Sequence, residues 1–222
     1  IYGYTKIMKI LAGIFKAIFW ILLTTGVFSG AALGVYLYEL SKTLPQNLED
    51  ELHKRNDVLP TVLYDRDGNQ IYELFIQRRI IIPYKQFPPQ LVQALISSED
   101  SRFFSHLGID PLRIPKAFMA NLRAGRIVQG ASTLTQQTAR LFLLSREKQI
   151  VRKLKEMLLA FRMEMQFSKQ EILSLYLNKV FLGNGEGVEA AAQGYFGKHA
   201  SELNLAECAL LVGILPAPSR YA

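Results

Sequence analysis

Two adjacent carboxylates, Glu99 and Asp100, open the stretch Glu99-Asp100-Ser101-Arg102-Phe103-Phe104-Ser105-His106-Leu107-Gly108-Ile109-Asp110. On a helix, Glu99, Phe103 and His106 fall at i, i+4 and i+7 and share one face. A carboxylate beside an aromatic and an imidazole can have its pKa moved and can be held for proton transfer. The same residues also make an ordinary charged helix end, and His106 reads first as a structural or orienting group. A second group lies downstream. Gly130-Ala131-Ser132-Thr133-Leu134-Thr135-Gln136-Gln137 brings a glycine, hydroxyls and two amides to a helix start. Free N–H groups there can hold an anion, or the hydroxyls can be only a cap. Arg152 and Lys153 suit an anionic substrate. With Glu156, Arg152 can equally form an i, i+4 surface ion pair worth only about 0.3–0.5 kcal/mol.

These residues need a scaffold, and the chain of 222 residues suits one globular domain plus an anchor. No charged residue occurs from Ala17 to Tyr38, enough helix to cross roughly 30 Å of hydrocarbon. A cleaved signal has a shorter apolar core. Gly30-Ala31-Ala32 resembles a cleavage site, but the apolar run continues past it, so an uncleaved anchor is expected. Lys6, Lys9 and Lys16 precede the run, and Glu39, Glu49, Asp50 and Glu51 follow it. The positive-inside rule then places the N-terminus in the cytoplasm, with Trp20, Tyr36 and Tyr38 near the two interfaces. The expected organisation is a tail and anchor over 1–40, a polar stalk over 41–58 and a globular domain over 59–222.

Within the domain, Thr61-Val62-Leu63-Tyr64 and Gln70-Ile71-Tyr72-Glu73-Leu74 flank an Asp-Gly turn and predict a β-hairpin. Arg79-Ile80-Ile81-Ile82 predicts a further short strand closed by Pro83. Beyond Pro88-Pro89 the pattern is helical. Asp110-Pro111 reads as an N-cap with proline at the first helical position. Ser168 with Glu171, and Asn204 with Glu207, read as capping boxes, and Pro216 ends the helix that holds Cys208. The single cysteine excludes an internal disulfide and reads as packing. Leu112–Val128 has an apolar face of Ile114, Ala117, Phe118, Leu122 and Ile127. Its basic face carries Arg113, Lys116, Arg123 and Arg126. Such a segment suits a bilayer headgroup region or a plain surface helix. The net charge of +7 admits nucleic acid, an anionic membrane or a phosphorylated substrate. No nucleic-acid partner is expected, because the domain stands beside a bilayer and lacks an aromatic-basic RNA motif.

Five blocks in order carry a resemblance. They are the Glu99–Asp110 stretch, Gly130 to Gln137, Arg152-Lys153-Leu154-Lys155-Glu156, Tyr176-Leu177-Asn178 through Phe196-Gly197-Lys198, and Ala209 to Ser219. Over about Leu59 to the C-terminus the chain resembles the peptidoglycan glycosyltransferases, glycosyltransferase family 51. This is the polymerase domain of class A penicillin-binding proteins and of monofunctional transglycosylases. The resemblance implies a mainly α fold, with a lysozyme-like lobe and a smaller membrane-proximal lobe. It implies polymerisation of lipid II into β-1,4-linked glycan at the outer face of the cytoplasmic membrane, with inversion and release of undecaprenyl diphosphate. The expected partners are lipid II, the growing glycan strand, the lipid bilayer and other cell-wall synthesis proteins.

The resemblance assigns Glu99 as general base on the acceptor hydroxyl, with Asp100, Phe103 and His106 in support. Glu156 joins it as a catalytic residue and a candidate ligand for Mg²⁺ or Mn²⁺. Gly130, Ser132, Thr133, Gln136, Gln137, Arg140, Arg152, Lys153, Tyr176 and Asn178 become substrate-binding candidates, the cations for the donor diphosphate. It also tips Leu112–Val128 toward membrane contact. One departure stands out. Where many family members carry a lysine followed by an asparagine, this chain has Arg140 and Leu141. Charge is kept and an amide is lost. The chain ends just past Pro218-Ser219-Arg220-Tyr221, as either a monofunctional enzyme or the front of a bifunctional one. The hairpin and the stalk favour the bifunctional form.

Overall fold

The computed structural model describes residues 2–48, 61–74, 80–126, 128–142, 148–183 and 185–221. Most of the expected stalk, together with Arg79 and Ile127, lies outside them. The chain divides into two compact units, Ile1–Gln46 and Asn47–Ala222. The first unit is dominated by helix α1 (Tyr2–Lys42). Its Gly13–Lys42 stretch is long and apolar enough to cross a membrane, and its most apolar part has no buried residue. Leucine, isoleucine, phenylalanine and tryptophan all stand outward there. Water would penalise that arrangement and hydrocarbon would not.

The second unit is mainly helical, as expected. Strands β1 (Thr61–Tyr64) and β2 (Gln70–Leu74) pair antiparallel, with an irregularity between Leu63 and Tyr64. Asp65 closes the turn: its carboxylate accepts from the backbone N–H of Asp67 and Asn69, both at 2.8 Å, and Gly68 takes φ +84°. The helices are α2 (Pro89–Glu99), α3 (Arg113–Ala124), α4 (Leu134–Phe142), α5 (Gln149–Gln166), α6 (Lys169–Lys179), α7 (Val188–Phe196), α8 (Leu205–Ile214) and α9 (Pro218–Tyr221). Apolar positions at helical spacing build the core. Leu91 and Leu95 of α2 meet Ile172, Leu173 and Leu177 of α6 and Leu211 of α8, with Phe103 and Leu134 in the same cluster. Both expected capping boxes are present, Ser168 with Glu171 and Asn204 with Glu207.

Two local expectations need correction. Asp110 does not cap a helix that begins at Pro111. Its Oδ1 accepts from Leu112 N–H at 3.0 Å, forming a turn, and α3 starts two residues later than expected, at Arg113. Ile80–Ile82 form no strand. The Asn178 side chain takes the place of a strand neighbour: its Oδ1 accepts from Ile82 N–H at 3.0 Å and its Nδ2 donates to Ile82 O at 2.9 Å. Asn178 is therefore a buried tether for this segment. Gly187 locks the same region. It sits at φ +86°, and a Cβ there would approach the Asn178 carbonyl oxygen to 2.7 Å. Gly187→Ala should lower Tm by about 5–10 °C, from strain of about 2–3 kcal/mol. Thermal unfolding followed by circular dichroism would check this, and an unchanged Tm would show that the loop can yield.

Candidate active site

Helix α2 delivers Glu99 as its last residue. Asp100 leaves the helical region, with φ −157° and ψ 72°, while its N–H still donates to Ile96 O. The shared helical face of Glu99, Phe103 and His106 is therefore not formed. Phe103 enters a separate 3-10 turn, Phe103–Ser105, and is fully buried. There it packs edge-on against His106, with the Lys169 ammonium 4.4 Å from its ring centre. His106 Nε2 lies 3.0 Å from Asp100 Oδ2, and both side chains are almost wholly enclosed. His106 thus serves Asp100 and not Glu99, in an orienting role.

Asp100 in turn accepts from Leu134 N–H at 2.9 Å, and its other oxygen faces Arg113 Nη1 at 3.5 Å. The carboxylate ties the end of α2 to the start of α4. Capping of this kind favours an acidic group at a helix N-terminus. Of the two readings of Gly130–Gln137, a helix cap or an anion site, the contacts at the start of α4 match the cap, which is filled from within. Thr133 Oγ1 donates to Gly108 O at 2.6 Å and accepts from Gln136 N–H, while Gln136 Oε1 accepts from Thr133 N–H. Thr133 and Gln136 are buried and hold the helix start together. The Gly130 carbonyl accepts from Arg113 Nε at 3.3 Å.

Glu99 is half-buried, and its Oε2 accepts from Gln137 Nε2 at 2.9 Å. Gln137 Oε1 accepts from the Tyr176 hydroxyl at 3.2 Å. Burial and then the Glu99 charge push the Tyr176 phenol well above its ordinary pKa. Arg140 lies three residues after Gln137 on the same face of α4. Its Nε and Nη2 donate to the two oxygens of Glu156, at 2.9 and 3.3 Å. Lys153 Nζ donates to Glu156 Oε2 at 3.0 Å and to Ser132 Oγ at 2.8 Å. Arg152 Nε stands 3.6 Å from Glu156 Oε1, beyond hydrogen-bond reach, and has no hydrogen-bond partner among the described residues. Three cations surround one enclosed carboxylate, and each keeps two-fifths or more of its side chain exposed. Burial works against ionisation of Glu156. The hydrogen bonds and charges of Arg140 and Lys153 outweigh it and hold the carboxyl below its ordinary range.

This arrangement does not fit the divalent cation expected at Glu156. Both oxygens are engaged by cations, and no group of three or more His, Cys, Asp or Glu side chains suited to a metal occurs among the described residues. The arrangement fits an anion, which the surplus positive charge would attract. Beside Glu99 opens a polar cleft of about 310 Å³, lined in part by Ser98, Glu99, Arg102, Arg113 and Lys116. Its cations differ from the Arg140, Arg152 and Lys153 group, which is related to Glu99 by the i, i+3 placement of Gln137 and Arg140 on α4. Sequence reading missed Arg102 at this cleft. It also placed Arg113 and Lys116 on a lipid-facing helix without linking them to Glu99. The Leu141 departure has a local reason, since that side chain packs against the core cluster.

The family profile described as Transglycosylase matches residues 67–222. Penicillin-binding protein 1A of Aquifex aeolicus (strain VF5) is 44% identical over 188 residues, 84% of this chain and 26% of that protein. Penicillin-binding protein 1A of Vibrio cholerae is 48% identical over 161 residues, 72% of this chain and 20% of that protein. A solved structure of penicillin-binding protein 1A from Haemophilus influenzae aligns over 74% of this chain and 16% of that chain, at 30% identity and a TM-score of 0.38. The chain spans about a quarter or less of the length of these relatives. The family match covers Glu99, Gln137 and the whole cation group, and the chain belongs to the transglycosylase family.

Proposed function

We propose that the protein polymerises lipid II into β-1,4-linked glycan strands at the outer face of the cytoplasmic membrane, inverting the anomeric centre and releasing undecaprenyl diphosphate. The observation that carries this reading is the pairing of a half-buried Glu99, held by the Gln137 amide of α4, with a cation group that Arg140 of α4 and Arg152 and Lys153 of α5 build around Glu156. Glu99 takes the proton from the acceptor hydroxyl as that oxygen attacks the donor anomeric carbon. The bond to the diphosphate breaks, and Arg140, Arg152 and Lys153 stabilise the charge that develops on it. The cleft beside Glu99 gives the acceptor sugar room. Incubation with labelled lipid II tests the reading: long glycan should accumulate, and cleavage of preformed glycan alone would replace it with a lysozyme-like hydrolase.

Membrane contact belongs to the same proposal. Helix α3 buries only Ala117, while Ile114, Phe118 and Leu122 stand exposed one turn apart beside its basic residues. Such a face suits the interface of an anionic bilayer. A chain lacking residues 1–38 should still bind liposomes, more strongly when they are anionic, and Phe118→Asp should weaken that binding. Sedimentation with vesicles gives the readout. A truncated protein wholly in the supernatant would mark α3 as an ordinary surface helix. By the positive-inside rule, the N-terminus of α1 lies in the cytoplasm and the catalytic unit outside.

A further inference from the structure

We propose that Tyr176 is a positioning residue: its buried hydroxyl fixes the Gln137 amide, and through that amide the Glu99 carboxylate, in the orientation needed to take a proton. This rests on the reading of Glu99 as the general base. Tyr176 is 2% exposed and belongs to the core cluster, so its hydroxyl works from inside the fold. Its hydrogen bond among the described residues is to Gln137 Oε1, at 3.2 Å, and Gln137 Nε2 is 2.9 Å from Glu99 Oε2.

The donor and acceptor inventory leaves one arrangement. An ionised carboxylate only accepts, so the amide must turn its NH₂ toward Glu99. The amide oxygen then faces Tyr176 and requires a donor there, which a phenol supplies. Burial and the nearby Glu99 charge keep that phenol protonated, so the donor is never lost in the working pH range. The aromatic ring is keyed to the same helix as the base. Tyr176, Leu91 and Leu95 line one small apolar cavity, and Leu95 lies one turn before Glu99 on α2. Without the hydroxyl, Gln137 keeps its bond to Glu99 but loses the contact that sets its rotation. The charged form of Glu99 is then less well supported.

Tyr176→Phe in the full chain tests this, because the ring and its packing are retained. With lipid II as substrate, kcat should fall roughly tenfold, the scale of one hydrogen bond to a charge-bearing network. KM should be unchanged, and the acidic limb of kcat/KM should move to higher pH. In a Gln137→Ala background, Tyr176→Phe should add no further loss. A ¹³C titration of labelled glutamate gives a readout that needs no turnover, with the Glu99 resonance identified by its loss in Glu99→Gln. Its midpoint should rise in Tyr176→Phe. If wild-type protein fails to polymerise lipid II, the functional reading falls while the titration still decides the Tyr176 assignment. An unmoved Glu99 midpoint, additive losses in the double variant, or a raised KM at unchanged kcat would each overturn it.

Discussion

Glu99→Gln is expected to slow polymerisation of lipid II by about 10²–10⁴-fold, the range for loss of a positioned general base. The substitution keeps volume and shape, and the new amide oxygen can still accept from Gln137. The fold and the surrounding contacts should therefore persist. What disappears is the capacity to take a proton from the acceptor hydroxyl. Among the described residues lining the cleft, Glu99 is the carboxylate left for that duty, since Asp100 is consumed by His106, Leu134 and Arg113, and Asp110 is buried against Leu112 N–H and Arg102. Single-turnover assays with equal folded fractions would measure the effect. Polymerisation at the wild-type rate would remove Glu99 from the mechanism, whereas wild-type protein that makes no glycan at all would return an inactive, membrane-anchored cell-wall scaffold as the better reading.

Arg152→Ala is expected to lower kcat by about 10²–10³-fold, the loss typical of one preorganised group that stabilises developing charge. Tm should barely move. The structural reason lies in how Glu156 divides its contacts. Arg140 and Lys153 already satisfy both carboxylate oxygens with hydrogen bonds, while Arg152 stands at 3.6 Å with its Nε unpartnered and two-fifths of its side chain exposed. An exposed charge at that distance adds little stability through solvent screening. On the proposed mechanism its charge would act on the donor diphosphate. Arg140→Ala would differ, because it also strips hydrogen bonds from an enclosed carboxylate and should lower both turnover and Tm. A melting shift of many degrees in Arg152→Ala at near-normal turnover would make Arg152 a structural residue.

The parts of the fold that were readable in the sequence are those set by local chemistry. The capping boxes at Ser168 and Asn204 and the Asp-Gly hairpin each involve residues within a few positions of one another. The break after Glu99 was not readable. Nothing in Glu99-Asp100-Ser101 interrupts a helical pattern, and Asp100 leaves the helix to reach partners as far away as Leu134. Asn178 followed the same logic: an amide inside a motif suggests a ligand, but its partner is a backbone segment 96 positions earlier. The cation group was legible as chemistry, since arginine and lysine beside glutamate suit an anion. That Arg140 would come from a different helix to share Glu156 required the packing of α4 on α5.

Cys208 has a use beyond packing. Its thiol is fully enclosed in α8, and burial raises its pKa, so the reactive thiolate is scarce in the native state. Native protein therefore offers alkylating reagents almost nothing to modify. Fluorophores or spin labels can be attached to engineered surface cysteines without first removing the natural one. The native thiol becomes a built-in clock for global opening, because its modification rate reports how often α8 leaves the core.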